Sequence, residues 1–179
     1  MIIAEHFDLV TSTNDEARRK IQSCSLDDTS VFVITADGQL KGRGQKGRVW
    51  ESSKGGLYYS CACRPKKLTL QTIDSFPFRL GQQIMRRINK AFDFGLSVEW
   101  PNDFILDNKK CGGILIETHS RSSSHQPDFL IVGIGFNLNQ EVFSEKLQPC
   151  VISLKQKMQK DYNKKPFIDI FTEEILECR

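Results

Sequence analysis

Three features of the 179-residue sequence predict an α+β fold with a mixed, largely antiparallel central sheet and flanking helices. Strand-like runs follow one another across turns too short for a crossover helix, as in the stretch LSVEWPNDFILDNKKCGGILIET. Two other segments carry the 3.6-residue apolar period of helices packed on one side. Nowhere does the chain keep up the strand–helix–strand alternation of a parallel α/β sheet.

In chain order, Thr13 with Glu16 three residues later has the form of a capping box, and Ala17, Ile21 and Cys24 then share one helical face. The polar stretch Ser25 to Ser30 ends that helix. Val31 to Ala36 is β-branched and aromatic, hence a strand, and Gly56 to Arg64 alternates as a second. Ile73 to Phe94 is the longest helix, with Leu80, Ile84, Ile88 and Ala91 facing inward and Arg86, Arg87 and Lys90 facing water. Leu96 to Trp100, Phe104 to Leu106 and Lys110 to Thr118 follow as strands, the last two joined by a hairpin at Asp107-Asn108. After the serine-rich loop SRSSSHQP, the apolar run Phe129 to Asn139 suits an interior strand. From Gln148 onward the chain reads as helical, with Pro166 in the first turn of a last helix that buries Phe167, Ile170, Phe171 and Ile175.

One core and one domain, residues 1–179, suit this length. With 39% hydrophobic and 26% charged residues the composition is that of an ordinary globular protein. The formal charge of +3, 25 basic against 22 acidic residues, is too small to imply nucleic acid, so functional positive charge must be local. No apolar run reaches the ~20 residues that span a bilayer, and MIIAEHFDLV lacks the form of a secretion signal, so a cytoplasmic protein without membrane contact is expected. The six cysteines form no C-x-x-C pair. Cys61 and Cys63 share one strand face as packing residues, Cys150 and Cys178 are expected in the core, and the lysines from Lys155 to Lys165 form a solvated face.

Between two strands lies QLKGRGQKGRVW, Gln39 to Trp50, in which Gly42, Gly44 and Gly47 have the spacing of a dinucleotide fingerprint. That motif needs a helix after its glycines, to meet a pyrophosphate; here a turn and a strand follow. A solvated hairpin is one reading. The other is a small anionic ligand with a planar part: glycines let backbone N–H groups approach it, Arg43 and Arg48 fork onto carboxylate or phosphate oxygens, and Trp50 offers a flat face.

The hairpin that follows brings Asp103 and Lys110 toward one sheet end, either as an exposed pair or as ligand-binding groups, and Gly112 and Gly113 directly follow the lysine. Asn137 and Asn139 lie on one side of a strand end, where their amides could read a nucleobase edge or cap the strand.

Six stretches in order, Ser12-Thr13-Asn14, Gln39 with GRGQKGRVW, Gly56-Leu57-Tyr58, WPND, KKCGGILIE and GIGFNLN, resemble the catalytic domain of the biotin protein ligases over nearly the whole chain. The resemblance implies the class II biotin/lipoate ligase-like fold and a two-step reaction. Biotin and ATP with Mg²⁺ give biotinyl-5′-AMP and pyrophosphate, after which a lysine of a biotin carboxyl carrier protein takes the biotinyl group and releases AMP. It implies that Ser12, Thr13, Asn14 and Gln39 hold the ureido ring. Arg43, Gly44 and Gln45, with Lys110 and Gly113, would line the biotin tail and carboxylate. Lys46, Arg48, Trp50, Asn102, Asp103, Asn137 and Asn139, together with Arg43 and Lys110, would meet the ATP or adenylate. Lys110 and Arg43 carry the chemistry, and Asp103 would contribute one carboxylate to the Mg²⁺ of MgATP.

Two positions depart from the family pattern. Gln45 stands where a basic residue is usual, so the adenylate should be held less strongly, and Glu99 stands where lysine is common. The chain has room for neither an N-terminal helix-turn-helix nor a C-terminal barrel, so operator DNA binding is not expected; a homodimer stays open. The competing readings are a lipoate or octanoate ligase or transferase, whose loop would end in a histidine that is missing here, and a non-catalytic module that binds biotin or carrier.

Overall fold

The computed structural model describes residues 1–23, 30–66, 68–69, 71–119 and 127–179. Among these residues seven strands form one sheet: β1 (Ile2–Val10), β2 (Val31–Gln39), β3 (Leu57–Cys63), β4 (Ser97–Glu99), β5 (Asp103–Leu106), β6 (Lys109–His119) and β7 (Phe129–Phe136). The order across the sheet is β1-β2-β3-β7-β6-β5-β4; only β1 and β2 run parallel. The mixed, largely antiparallel sheet expected from sequence is therefore present, with β7 interior between β3 and β6. Among the described residues four α-helices flank it: α1 (Thr13–Ser23), α2 (Phe76–Phe92), α3 (Leu154–Met158) and α4 (Lys165–Cys178).

Side-chain alternation sorts the two faces. Val31 and Val33 of β2, Tyr59 and Cys61 of β3, and Leu130, Val132 and Ile134 of β7 face α2 and α4 in the main core. Phe32, Ile34, Ala62 and Ile131 face the other way and pack with Ala17 and Ile21 of α1. Cys61 and Cys63 share one face of β3 and are fully buried, as expected of packing residues. In α2, Leu80, Ile84 and Ile88 are buried, each contributing roughly 2 kcal/mol of apolar burial.

Several boundaries differ from the sequence reading. β1 shows no clear strand period in the sequence, because only alternate residues of this edge strand are half-buried and its polar members, Glu5, His6 and Asp8, mask the period. Ala91 is exposed at the end of α2. Phe92 turns inward in its place and stacks on Phe94 and Phe167, and α2 stops at Asp93, whose φ of 54° is left-handed. Arg87 is not simply solvated but pairs with Glu173 and Glu174 of α4. The stretch after Gln148 is not continuously helical: Ser153 and Gln156 make a reciprocal capping box that starts the short α3 at Leu154. α4 begins with Pro166 in its first turn and buries Phe167, Ile170, Phe171 and Ile175 as expected. Cys150 is exposed and Cys178 only partly buried, so neither is a core thiol. Cys24, most of Ser25 to Ser30 and Ser120 to Gln126 lie outside the described residues. Among the described residues no helix is long and apolar enough to cross a membrane.

Candidate active site

The parallel pairing of β1 and β2 sets the first half of the site. Both strands end at the same sheet edge, where Leu40 N–H donates to Val10 C=O and Lys41 N–H to Thr11 C=O. One strand therefore delivers the start of α1 and the other delivers Gln39 and the glycine loop to one place. Ser12 C=O accepts the first helical hydrogen bond, from Glu16 N–H at 3.1 Å, so Thr13 is already inside α1. The Thr13–Glu16 capping box is thus absent. The Thr13 N–H donates to Gln39 Oε1 at 2.9 Å, the Thr13 hydroxyl lies 3.2 Å from the same oxygen, and Glu16 takes Arg19.

Ser60 of β3 completes this polar end. Its oxygen lies 2.6 Å from Asn14 Oδ1 and 2.7 Å from Thr13 Oγ1. A hydroxyl has one proton and the amide oxygen accepts only, so Ser60 donates to Asn14 and accepts from Thr13 when Thr13 turns from Gln39. Asn14 Nδ2 in turn donates to Glu117 of β6 at 2.9 Å. Ser12, Thr13 and Asn14 are all nearly fully buried, so this cluster of donors and acceptors is held in fixed positions.

The glycine loop is a closed hairpin. Gly44 N–H donates to Arg48 C=O, Trp50 N–H donates to Gly42 C=O, and Arg43 and Val49 form an antiparallel bridge around a single 3₁₀ turn at Gln45–Gly47. Gly47 has φ +72°, which favours glycine. No helix follows, consistent with a non-Rossmann loop. Gly42 has a separate reason to be glycine: a Cβ there would sit 2.5 Å from the Trp50 carbonyl oxygen.

Arg43 does not project freely. Its guanidinium grips Asp15 through two hydrogen bonds of 2.8 and 2.6 Å and reaches Glu117 at 3.4 Å, while Arg18 also meets Glu117. The Arg43 hydrogen bond, with the charges of Arg43 and Arg18, holds the Asp15 carboxyl below its ordinary value against the opposing effect of burial. A depressed folded-state pKa adds stability above the unfolded carboxylate value, about 3.9, and that stability is lost as pH falls through the lower folded value. Asp15→Asn is therefore expected to lower the urea midpoint at pH 7, with the gap from wild type closing below about pH 4; a constant gap across pH would contradict the ion-pair account.

The second half of the site depends on a β-bulge. Asp103 pairs with Gly113, but the register shifts between Phe104 and Ile105, so that Ile105 pairs with Lys110. Without this shift Lys110 would face the core. With it, Lys110 Nζ sits 2.7 Å from Asp103 Oδ1 and 5.4 Å from the centre of the Trp50 ring. The backbone of Lys110 is pinned separately, its N–H to Cys150 C=O and its C=O to Ile152 N–H.

A cavity of about 340 Å³ joins the two halves. It is lined by Ser12, Thr13, Asn14 and Gln39 at one end and by Arg43, Gly44, Gln45, Arg48 and Trp50 along the loop. Asn102, Lys110, Gly113 and Asn137 line the far side, and Phe143, Leu147, Cys150 and Val151 form an apolar wall. Glu51 fastens that wall to the loop by accepting from Ser144 N–H and Oγ–H. Three expected residues stand outside the lining. Lys46 is exposed on the turn, Asp103 supports Lys110 from behind, and Asn139 exchanges two 2.9 Å hydrogen bonds with the Tyr162 backbone, the strand-capping alternative. Among the described residues the one cluster of three metal-capable side chains is His6, Asp8 and Asp37, and it does not include Asp103.

Asp15, Ser60, Glu117, Gly133 and Gly135 also stand at this cavity, although nothing in the sequence singles them out as ligand-binding residues. The two glycines carry a visible signal, a period-two repeat in GIGFN that puts both on the face opposite the buried Val132 and Ile134. A Cβ at Gly133 would sit 2.3 Å from Asn14 Oδ1, and one at Gly135 would sit 2.4 Å from Trp50 Cε2. Ser60 and Glu117 lie in strands whose pairing, not their local sequence, brings them to Asn14.

Comparison with known proteins points to one family and one fold. The model of the biotin/lipoate A/B protein ligase family matches residues 6–137. The chain is 30% identical over 154 residues to the bifunctional ligase/repressor BirA of Bacillus subtilis, covering 84% of this chain and 46% of that protein. It is 31% identical over 128 residues to the biotin–[acetyl-CoA-carboxylase] ligase of Paracoccus denitrificans, covering 71% and 51%. The chain thus spans about half the length of these curated relatives. Among solved structures, the biotin protein ligase of Aquifex aeolicus in complex with biotin and ATP superposes with a TM-score of 0.79 at 30% identity, over 97% of this chain and 68% of that one. The ligase of Leishmania major in complex with biotinyl-5-AMP gives 0.77 at 25%, over 96% and 72%.

Proposed function

The chain belongs to the biotin/lipoate A/B protein ligase family, and from that premise we propose that it activates biotin with ATP and transfers it to a lysine of a biotin carrier domain. One observation carries the choice of substrate: a fixed neutral polar cluster at Ser12 to Asn14 and Gln39 shares one cavity with the Lys110 ammonium. A ureido ring has both N–H donors and a carbonyl acceptor, and it suits a cluster that offers hydroxyls and amides in fixed positions. A plain fatty acid or lipoate would lay an apolar chain against those groups and add no hydrogen bond to them, forgoing about 0.5–1.5 kcal/mol for each bond a ureido ring makes.

In the first step the biotin carboxylate attacks the α-phosphorus of ATP, forming the acyl–phosphate bond and expelling pyrophosphate. Two anions must meet, so a cation placed between them lowers the barrier. Lys110 is that cation. Its ion pair with Asp103 and the Trp50 face hold the ammonium at the junction of the cavity. Arg48 lines the cavity without a carboxylate partner among the described residues, whereas Arg43, committed to Asp15 and Glu117, shapes the loop and supplies charge from the side. ATP arrives as MgATP. Mg²⁺ would keep mostly water and phosphate ligands, and Asp103, which stands outside the cavity lining and pairs with Lys110, would have to leave that pair to join them. In the second step the neutral amine of the carrier lysine attacks the acyl carbon, AMP leaves, and the proton passes to solvent or phosphate.

The deciding experiment is ATP–pyrophosphate exchange with biotin, lipoate and octanoate as alternative acids. Exchange that needs biotin supports the proposal; exchange with lipoate or octanoate alone would replace biotin as the substrate, and tight biotin binding without exchange would leave a binding module. Gln45 lines the cavity where a cation would grip the adenylate better. Gln45→Arg is accordingly expected to slow release of free biotinyl-adenylate severalfold, measured by trapping with hydroxylamine.

A further inference from the structure

Glu117 of β6 stands behind the cavity lining, yet two residues of that lining, Asn14 and Arg43, both bond to it. Asn14 Nδ2 lies 2.9 Å and Arg18 3.2 Å from Glu117 Oε2, and Arg43 reaches Oε1 at 3.4 Å. A carboxylate accepts and does not donate, so the Asn14 edge that faces it is the N–H₂.

Ser60, the other partner of the Asn14 amide, imposes no such choice. It is fully buried, and its hydroxyl can give a proton to an amide oxygen or take one from an amide nitrogen. Two arrangements of the polar end are therefore open. With the Asn14 nitrogen toward Glu117, Ser60 donates to Asn14 Oδ1 at 2.6 Å and keeps only a lone pair for Thr13, which donates to it across 2.7 Å. With the amide reversed, the Ser60 proton would turn to Thr13, and the Thr13 proton would turn to Gln39 Oε1, 3.2 Å away. The reversed arrangement sets the Asn14 oxygen against the Glu117 carboxylate, so the charge selects the first. Protons then run one way, from Thr13 to Ser60 to Asn14 to Glu117. Thr13 and Asn14 line the cavity, so this direction decides which of their donors and acceptors are left for a ligand at its neutral end.

The same carboxylate lies between Arg18 and Arg43, and Arg43 also holds Asp15. Two positive and two negative groups balance there. A charge can thus orient the amide without giving this end of the cavity a net negative field that would repel a ligand carboxylate.

We infer that Glu117 is a positioning residue: acting through Asn14, its charge sets the donor and acceptor pattern of the ureido end, so that biotin affinity depends on a carboxylate behind the lining. The inference rests on the reading that this end of the cavity takes the ureido ring.

The test compares wild type, Glu117→Gln, Asn14→Ala and the double variant, with the Kd for biotin read by calorimetry and the KM for ATP by biotin-dependent exchange. Glu117→Gln keeps the shape, but its amide donates as well as accepts, so Asn14 takes both orientations. The biotin Kd should rise about tenfold, the scale of one hydrogen bond to a charged group. In the Asn14→Ala background the same change should raise it less than about twofold, because the amide that Glu117 orients is gone. The KM for ATP should not rise, since the variant releases positive charge of Arg18 and Arg43 beside the cavity; a site that had merely loosened would lose both ligands. Glu117→Asp serves if Glu117→Gln does not fold. Its shorter carboxylate stays within reach of the long arginines but withdraws from Asn14, so biotin should again weaken only where Asn14 is present. An unchanged biotin Kd, an equal effect with and without Asn14, or a parallel rise in the KM for ATP overturns the inference and leaves adenylation standing. The expected biotin effects without any exchange in wild type overturn adenylation and leave the inference standing, and a wild type that does not bind biotin overturns both.

Discussion

Lys110→Ala is expected to reduce biotin-dependent ATP–pyrophosphate exchange by about 10²- to 10³-fold or more, the scale seen when a group aimed at transition-state charge is removed. Two effects act together. The ammonium no longer offsets the repulsion between carboxylate and α-phosphate, and Asp103, deprived of the partner at 2.7 Å, becomes an uncompensated negative charge beside the reacting anions. The fold should survive, because the structural work at this position is done by the backbone, bonded to Cys150 and Ile152 on one side and paired with Ile105 on the other. Asp103→Asn in the Lys110→Ala background should recover part of the loss by removing the stranded charge. Lys110→Arg should recover little, since a planar guanidinium would fork onto Asp103 and stack on Trp50, and its spread charge would replace the compact ammonium at the reacting anions. A thermal melt close to wild type with lost exchange supports the role; wild-type exchange in Lys110→Ala would sink it.

The parts of this site that were legible in the sequence are those where one residue type has one chemical use. The basic glycine loop, the Asp103–Lys110 pair across a hairpin and the polar Ser12 to Asn14 triplet could all be singled out. The left-handed Asp107 and Asn108 turn, with φ of 55° and 59°, follows directly from the residues that tolerate it. What was hidden depends on register and pairing. The bulge after Phe104 turns Lys110 to the cavity, and no residue type announces it. Arg43 looks like a free ligand cation until the fold brings Asp15 and Glu117 to it from α1 and β6. Thr13 has the form of a helix cap, yet β1, the strand easiest to overlook, extends the chain so that the hydroxyl meets Gln39 instead. For Arg43 and Thr13 local chemistry predicted one partner and tertiary pairing supplied another, whereas Lys110 meets the expected Asp103 and only the bulge that orients it was hidden.

Gly133→Ala should have the largest effect of any single methyl in the site. The new Cβ would lie 2.3 Å from Asn14 Oδ1 and 3.0 Å from the amide carbon and nitrogen, well inside contact distance. Asn14 is short, 4% exposed and held by Ser60 on one side and Glu117 on the other, so it cannot swing aside without giving up those hydrogen bonds. Overpacking of this kind costs about 1–3 kcal/mol, and losing the fixed amide should raise the KM for biotin by roughly ten- to a hundredfold. A double variant separates the two consequences. Adding Asn14→Ala to Gly133→Ala removes the atom that clashes, so stability should return toward that of Asn14→Ala alone while the biotin KM stays high. If Gly133→Ala bound biotin normally, or if the double variant restored binding together with stability, Asn14 would have no part in holding the ureido ring, and the polar end of the cavity would have to be reassigned to Thr13, Ser60 and Gln39.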